Sequence, residues 1–193
     1  MATAQNFKIK AHLMTAKEMD RALTRIAHEI VERNAGVDNL YLVGIQRRGV
    51  TLARRLADKL EAIEGERPAL GILDITFYRD DLSLLSANPV VNETFISDPI
   101  QDRTIILVDD VLFTGRTARA AIEAIFDMGR PAAIQLAVLI DRGHRQLPLR
   151  PDYVGKNVPT SKNELALVRV DEFDGSEEVL LGELLEDKDE KEE

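Results

Sequence analysis

The chain of 193 residues contains no cysteine and no tryptophan, and only three histidines. The absence of cysteine excludes disulfides, thiol catalysis and zinc sites built on thiolates. His12, His28 and His144 form no H-x-x-x-H pair, which argues against a metal site built on histidine. We therefore expect neither thiol chemistry nor a metal site built on cysteine or histidine.

Long apolar runs are also missing. No segment approaches the ~18 consecutive apolar residues that a membrane-spanning helix needs, and residues 1–10 lack the apolar region of a secretory signal. Hydrophobic residues still make up 45% of the chain, which is enough for the core of one domain. We therefore expect a single cytoplasmic domain without membrane contact.

The formal net charge of −9 is unevenly distributed. Residues 183–193 hold seven acidic and two basic side chains, so they account for −5 and leave −4 for residues 1–182. A self-repelling run of this kind predicts a disordered tail. Residues 1–182 contain 17 Arg and 6 Lys, and arginine pairs with phosphate and stacks on bases better than lysine does. Local arginine clusters, more than the total charge, therefore decide whether nucleic acid binds.

The most informative segment is residues 104–117, TIILVDDVLFTGRT. Its first five residues are almost entirely apolar and β-rich, which is typical of a parallel strand covered on both faces. Asp109 and Asp110 follow, at the end of the strand where open α/β sheets bind ligands. The TGRT turn then opens an Ala-rich helix, so backbone N–H groups and the positive end of the helix dipole meet at one point. This arrangement predicts an anion site beside a carboxylate pair.

The paired carboxylates suit a cis-diol or a hydrated Mg²⁺ better than a second phosphate. Gly115 allows the backbone to approach a ligand closely. An ordinary strand–turn–helix with a polar cap is the alternative interpretation. The segment lacks the G-x-x-x-x-G-K-[ST] and G-x-G-x-x-G patterns, which excludes the usual nucleotide loops. Together these features indicate a sugar phosphate ligand.

Strand and helix patterns alternate along the rest of the chain. A capping box at residues 15–18 starts a helix that ends near Gly36. Strands are predicted at residues 39–43, 70–78, 133–140 and 166–170, and helices at residues 50–64 and 116–128. Residues 80–101 are typical of a long loop. The alternation predicts an α/β fold with a doubly wound, mostly parallel sheet.

Residues 104–117 resemble the phosphoribosyl-pyrophosphate (PRPP) signature of the type I phosphoribosyltransferases. Residues 43–49 resemble the pyrophosphate loop of that family, residues 74–82 its mobile active-site loop, and residues 139–145 and 151–161 its base-binding side. The likeness covers roughly residues 10–182. It implies one domain over residues 1–182, with a small hood formed by about residues 141–182 and the N-terminus, and a homodimer or larger homo-oligomer.

The resemblance also implies roles for individual residues. In this family the two acidic residues contact the ribose hydroxyls and the following loop holds the 5′-phosphate. Mg²⁺ arrives with PRPP and would lie near the carboxylate pair, and no ligand set from the protein is assigned. Catalysis is assigned to Asp109, Asp110, Arg48 and Arg79. Binding of PRPP or UMP is assigned to Arg47, Arg48, Gly49, Asp109, Asp110, Val111, Leu112, Phe113, Thr114, Gly115, Arg116, Thr117, Asp141 and Arg142.

Phe113 indicates which base is used. Members of the family that use purines generally carry an acidic residue at this position, and its carboxylate meets a nitrogen of the purine ring. Phe113 cannot make that contact, which favours a pyrimidine, uracil by the resemblance. A plain packing role for Phe113 is the alternative.

The first helix carries a polar face. At ~100° per residue, Arg21, Thr24, Arg25 and His28 lie opposite the apolar stripe, which a solvated surface alone would explain. The Thr-Arg-x-x-His string resembles family members that bind RNA and regulate genes of pyrimidine biosynthesis, where this face meets single-stranded or loop RNA. The RNA-binding residues implied by this resemblance are Arg21, Thr24, Arg25, His28, His144, Arg145, Arg150 and Lys156.

Two functions therefore follow as expectations. One is an RNA-binding regulator that acts on the pyr mRNA leader and responds to UMP or UTP. The other is a uracil phosphoribosyltransferase that converts uracil and PRPP to UMP and pyrophosphate. We expect both in one domain. The alternative is a phosphoribosyltransferase for another base without a role in RNA binding.

Overall fold

The structure, a computed structural model, describes residues 7–78 and 94–185. In chain order its elements are β1 (Phe7–Thr15), α1 (Ala16–Asn34), β2 (Leu40–Ile45), α2 (Arg48–Glu64), β3 (Ala69–Leu73), a 3-10 turn (Thr76–Tyr78), β4 (Thr104–Leu112), α3 (Arg116–Met128), β5 (Ala133–Asp141), β6 (Tyr153–Asn157), β7 (Glu164–Arg169), α4 (Asp171–Asp174) and β8 (Glu178–Leu184). Among these residues, no helix is long and apolar enough to cross a membrane.

Five parallel strands form the central sheet in the order β3-β2-β4-β5-β6. The strands that follow β2 in the chain lie on opposite sides of it, β3 on one side and β4 on the other. The strand order therefore reverses between β2 and β4, and ligands of open α/β sheets bind beyond the carboxyl ends of the strands at such a point. The predicted doubly wound parallel sheet is confirmed.

Strand β4 is buried on both faces, which explains its unbroken apolar run. Ile106 and Val108 pack in the core shared with α1 and α2. Ile105 and Leu107 point the other way, into the core that lies under α3. Alternate side chains of a strand face opposite sides of a sheet, so a strand covered on both sides must be apolar at every position.

Helix α1 begins with the predicted capping box. The Thr15 hydroxyl accepts a hydrogen bond from the Glu18 N–H at 3.4 Å, and the Glu18 carboxylate accepts one from the Thr15 N–H at 2.8 Å. These bonds satisfy donors that a helix start leaves free. The helix ends at Asn34, and Ala35, in the left-handed region at φ 55°, forms its C-cap ahead of Gly36.

A second, smaller sheet joins β1, β8 and β7 in that order, all antiparallel. It combines the N-terminal strand with the last strands of the described chain, and α4 connects β7 to β8. Strand β8 extends to Leu184, two residues into the segment that the charge pattern assigns to the tail.

Several boundaries differ from the predicted ones. Strand β4 continues to Leu112, four residues past the predicted end, because β5 goes on pairing with it as far as the Leu112–Asp141 pair. The predicted strand at residues 70–78 ends at Leu73, where β2 also ends, and a 3-10 turn follows. Strands β1, β6 and β8 were not predicted from the sequence. Most of the predicted loop at residues 80–101 lies outside the described residues.

Candidate active site

The turn between β2 and α2 brings the predicted pyrophosphate loop against β4. Its Gln46–Arg47 peptide bond is cis, and the Gln46 N–H donates to the Leu73 carbonyl at 2.9 Å. At Gly49, a Cβ atom would lie 2.4 Å from the Val108 carbonyl oxygen and 3.2 Å from the Asp109 Cα. Only glycine therefore lets the first turn of α2 rest directly on the end of β4.

Asp109 and Asp110 lie within β4, although they were predicted to follow its end. Pairing between β2 and β4 stops at Gly44 and Val108, so both aspartates lie beyond the last residue of β4 that pairs with β2. The Asp109 carboxylate accepts from the Asp110 N–H at 2.9 Å, and the Asp110 carboxylate accepts from the Val111 N–H at 2.9 Å.

The two carboxylates differ in exposure. Asp109 is 9% exposed, whereas Asp110 is partly exposed. Burial, and secondarily the charge of Asp110, raise the pKa of Asp109 well above its ordinary value. A hydroxyl donor or a cation would favour the charged form of this carboxylate, so the site is suited to a diol or to a substrate-bound metal.

The turn after β4 has the form of an anion site. Gly115, at φ 91°, is the N-cap of α3, and the cap makes no side-chain hydrogen bond. The first N–H groups of a helix have no partner within the helix, and the helix dipole favours an anion there. The Thr114 hydroxyl accepts from the Arg116 N–H at 3.3 Å. Val111 and Thr117 are partly buried and Leu112 is buried.

The segment after β5 folds over this turn. The Thr114 carbonyl accepts hydrogen bonds from the Gln146 N–H at 3.0 Å and the Leu147 N–H at 3.2 Å. The Arg116 Nε donates to the Gln146 side chain at 2.9 Å. The predicted phosphate turn and the predicted base side are therefore one connected structure.

Arg142 lies on the base side and is only 4% exposed. Its guanidinium carbon is 3.9 Å from the centre of the Phe113 ring, and its Nε donates to the Thr160 hydroxyl at 3.2 Å. The carbonyl oxygens of Ser161 and Glu164 accept from its Nη2. Burial lowers its pKa, but an arginine remains charged in proteins. The phenyl ring of Phe113 therefore lies against a fixed cation.

Arg145 and His144 secure the same segment. The Arg145 Nη1 donates to the Phe113 carbonyl at 2.7 Å, and its Nη2 pairs with the Asp141 carboxylate at 2.5 Å. The His144 Nε2 lies 2.6 Å from the Thr160 carbonyl oxygen, and its ring meets Phe113 edge to face at 5.9 Å. Both residues make internal contacts in the structure, and their predicted role in RNA binding stays a prediction.

Arg48 makes a contact that was not predicted from the sequence. Its Nε donates to the Asp174 Oδ2 at 3.0 Å and its Nη2 to the Asp174 Oδ1 at 2.6 Å. The bond to Asp174 raises the pKa of Arg48, and the charge of Asp110 adds to this effect. The ion pair therefore ties the guanidinium to α4. Arg47 is exposed, and Arg79 lies outside the described residues.

The predicted RNA-binding residues of α1 do not all have the same surroundings. Arg21 and His28 are exposed. The Thr24 hydroxyl accepts from the Lys59 Nζ at 2.9 Å, on the side of α2. The Arg25 Nη2 reaches the opposite side, where it donates to the main-chain oxygens of β6 at 2.7–2.8 Å. Arg21 and His28 thus lie on the exposed face of α1, Thr24 faces α2 and Arg25 faces β6.

A groove of about 340 Å³ lies between α1 and β6. Arg21, Arg25 and Lys156 supply cations along it; Glu18, Gly155 and the buried Met14 and Ala22 complete the lining. The Lys156 Nζ donates to the Leu13 carbonyl at 2.7 Å. The structure thus brings three of the predicted RNA-binding residues to one groove. Arg150 is exposed on the segment that follows β5.

Comparison with known proteins identifies the family. The family model for the phosphoribosyl transferase domain matches residues 12–172. The bifunctional protein PyrR of Caldicellulosiruptor bescii is 66% identical over 172 residues, which cover 89% of this chain and 94% of that protein. The bifunctional protein PyrR of Clostridioides difficile is 56% identical over 174 residues, which cover 90% of this chain and 98% of that protein.

Solved structures show the same fold at low sequence identity. Hypoxanthine phosphoribosyltransferase from Trypanosoma cruzi has a TM-score of 0.70 at 19% identity, over 92% of this chain and 96% of that chain. A hypoxanthine-guanine phosphoribosyltransferase from Bacillus anthracis has a TM-score of 0.67 at 15% identity, over 92% of this chain and 99% of that chain. The chain therefore belongs to the phosphoribosyl transferase domain family, and within it to the bifunctional PyrR proteins.

Proposed function

We propose that this protein regulates pyrimidine biosynthesis genes by binding RNA in response to uridine nucleotides, and that it also converts uracil and PRPP to UMP and pyrophosphate. The observation that carries the enzymatic part is the carboxylate pair at the β2–β4 switch point, which lies between Arg48 and the N-terminus of α3. The relatives at 56–66% identity, all named bifunctional PyrR, support the combination of both activities.

The reaction breaks the bond between the anomeric carbon and the pyrophosphate oxygen, and forms a bond from that carbon to a uracil nitrogen, which gives up its proton. Asp109 and Asp110 hold the ribose hydroxyls, and the α3 N-terminus holds the 5′-phosphate. Arg48 stabilises the charge on the departing pyrophosphate. Catalysis by orientation and preorganised charge is sufficient for such a displacement.

Mg²⁺ is expected to arrive with PRPP. Among residues 7–78 and 94–185, no group of three or more His, Asp or Glu side chains could hold a metal ion alone. Mg²⁺ commonly uses one or two carboxylates together with substrate phosphates and water, and the Asp109–Asp110 pair fits that pattern. When bound, the ion would offset pyrophosphate charge.

Uracil is the base that fits Phe113. In the position where purine-using enzymes of the family carry a carboxylate, this chain has a ring packed against the Arg142 guanidinium. The runner-up is a phosphoribosyltransferase for another base without a role in RNA binding; if that base were a purine, its protonated ring nitrogen would need a different acceptor.

RNA is proposed to bind along α1 and the groove beside β6. Arg21, Arg25 and Lys156 can pair with the phosphates of single-stranded or loop RNA. The negative charge of residues 1–182 limits binding to this local patch, so the salt dependence should be modest. Since the RNA target is a messenger leader, we also propose a cytoplasmic location, and by family likeness a homo-oligomer.

Two assays on the purified protein test the proposal. With Mg²⁺ and PRPP, uracil should be converted to UMP and hypoxanthine should not. A pyr leader RNA should bind, and UMP should tighten the complex. Purine turnover equal to that of uracil, together with no RNA binding, would favour the runner-up.

A further inference from the structure

We propose that Asp174 is a positioning residue that orients Arg48 toward the pyrophosphate of PRPP; this inference rests on the enzymatic part of the proposed function. Asp174 lies on α4 in the hood, 126 residues from Arg48. Since it contacts neither the carboxylate pair nor the phosphate turn in the described structure, it would act on the reaction only through Arg48.

The ion pair uses one edge of the guanidinium. A guanidinium has five N–H donors in a fixed plane, and Asp174 accepts from Nε and from one Nη2 hydrogen. The second edge, formed by Nη1 and the other Nη2 hydrogen, therefore faces away from Asp174. A bidentate carboxylate fixes the plane of an arginine as well as its distance, so the direction of that second edge is set from the hood.

Asp174 is itself held in place. Its Oδ2 also accepts from the Val170 N–H at 2.9 Å, and its own N–H donates to the Val170 carbonyl at 2.8 Å. The Asp174 side chain is 19% exposed and the Arg48 side chain 36%. A partly buried, bidentate pair anchored to the backbone holds its geometry better than an ordinary surface pair does.

The position of Arg48 gives this contact a consequence for the reaction. Arg48 is the first residue of α2, in the turn that rests on Asp109 through Gly49. The charge of Asp110 reaches it as well. Because Arg48 precedes Gly49 in that turn, a pyrophosphate bound beside the carboxylate pair would meet a guanidinium whose direction is set by α4.

The chain offers a matched control in Glu172. Glu172 lies on the same short helix and pairs with Arg55 of α2 at 3.0 Å, so Glu172→Gln removes a contact between the hood and α2 without touching Arg48. Glu177 also binds Arg55, at 2.5 Å, and should keep the hood in place. Asp174→Asn and Glu172→Gln therefore separate the orientation of Arg48 from the docking of α4.

The test measures the dissociation constant of pyrophosphate with Mg²⁺ by calorimetry, and kcat and KM for PRPP and for uracil. Asp174→Asn should weaken pyrophosphate binding and raise the KM for PRPP, each roughly tenfold, because a charged contact is misaligned. The KM for uracil should stay within about two-fold, and Asp174→Glu should restore part of the loss. Glu172→Gln should behave as the wild type.

Unchanged or tighter pyrophosphate binding in Asp174→Asn would overturn the inference, since the pair would then be neutral or would compete with the ligand. An equal loss in Glu172→Gln would overturn it too, because hood docking alone would explain the effect. Should Asp174→Asn fail to fold, Asp174→Glu makes the test: it keeps the charge but displaces the carboxylate from its fork with Arg48, so it should bind pyrophosphate more weakly than the wild type does. Pyrophosphate binding of wild-type strength in that variant contradicts the inference.

The calorimetric comparison does not depend on turnover. Wild-type protein that binds pyrophosphate but does not convert uracil would refute the proposed enzymatic function, while the ratio between variant and wild type would still decide the role of Asp174.

Discussion

Replacing Gly49 by alanine should lower both the catalytic rate and the stability of the fold. The added Cβ would lie 2.4 Å from the Val108 carbonyl oxygen, whereas ordinary contacts begin at 3.4 Å. The first turn of α2 must therefore move by about 1 Å away from β4. A misplacement of about 1 Å can cost roughly 100-fold in rate, which is about 2.7 kcal/mol of transition-state stabilisation. Overpacking of this kind should destabilise the fold by about 1–3 kcal/mol.

Gly65→Ala is the matched control for this substitution. Gly65 caps the other end of α2 at φ 78°, and a Cβ atom added there would have no neighbour within 4 Å. Alanine in the left-handed region costs about 1–2 kcal/mol, similar to the expected effect at Gly49 but at the far end of the helix. Steady-state uracil turnover and thermal melting should show two destabilised proteins, of which only Gly49→Ala loses activity. Turnover within about two-fold of wild type in Gly49→Ala, or an equal loss in Gly65→Ala, would refute the reasoning.

Four further predictions concern single residues. Asp110→Asn should lower uracil turnover about 100-fold in a folded protein, because one preorganised partner of the ribose is lost; kinetics and a melting curve check this, and full turnover contradicts it. Asp109→Asn should raise Tm relative to the wild type at pH 8 but not at pH 4. The pKa of Asp109 in the folded protein is raised above 3.8, so the stability of the wild type falls as the pH rises from 3.8 through the folded pKa. An equal Tm difference at both pH values would contradict this prediction. Because Phe113 lies where purine-using members of the family carry a carboxylate, competition assays should show a preference for uracil over hypoxanthine. A preference for hypoxanthine would contradict the assignment of uracil. Arg25→Gln should weaken leader RNA binding roughly tenfold in a filter-binding assay and leave uracil turnover unchanged. The control is Arg67→Gln, which removes an exposed ion pair with Asp58 and Glu61 and should bind RNA as the wild type does.

The central sheet could be predicted because its strands are buried on both faces. Residues 104–108 are almost entirely apolar, and a short run of this kind is typical of a strand covered on both sides. The capping box of α1 was likewise readable from Thr15 and Glu18 alone, since both bonds lie within one helical turn. Local sequence therefore sufficed wherever local contacts or complete burial determine the structure.

The small sheet was harder to predict because its strands come from opposite ends of the described chain. Strand β1 alternates apolar and polar residues from Phe7 to Leu13, yet most of its side chains are exposed, with Phe7 at 36% and Ile9 at 45%. Its pairing partner β8 lies at the other end of the described chain. The alternation in β1 is typical of a half-buried strand and could have predicted it, whereas its pairing with β8 could not be inferred from local sequence.

In the candidate site too, contacts that are local in sequence could be predicted and long-range contacts could not. The carboxylate pair and the phosphate turn are contiguous in sequence, and they were predicted together. The pairing of Arg48 with Asp174 spans 126 residues, and no motif around Asp174 marks it, so only the folded chain reveals the contact. The inward-facing roles of Arg142 and Arg145 likewise depend on the path of the segment after β5.

The central claim is that one domain both transfers a phosphoribosyl group to uracil and binds RNA under the control of a uridine nucleotide. The most direct measurement is the affinity of the purified protein for pyr leader RNA with and without UMP. Linkage requires that a nucleotide that favours the RNA-binding state tighten the complex, and couplings of this kind are about 5- to 150-fold. The account predicts tightening within that range. An RNA affinity that UMP leaves unchanged would contradict it.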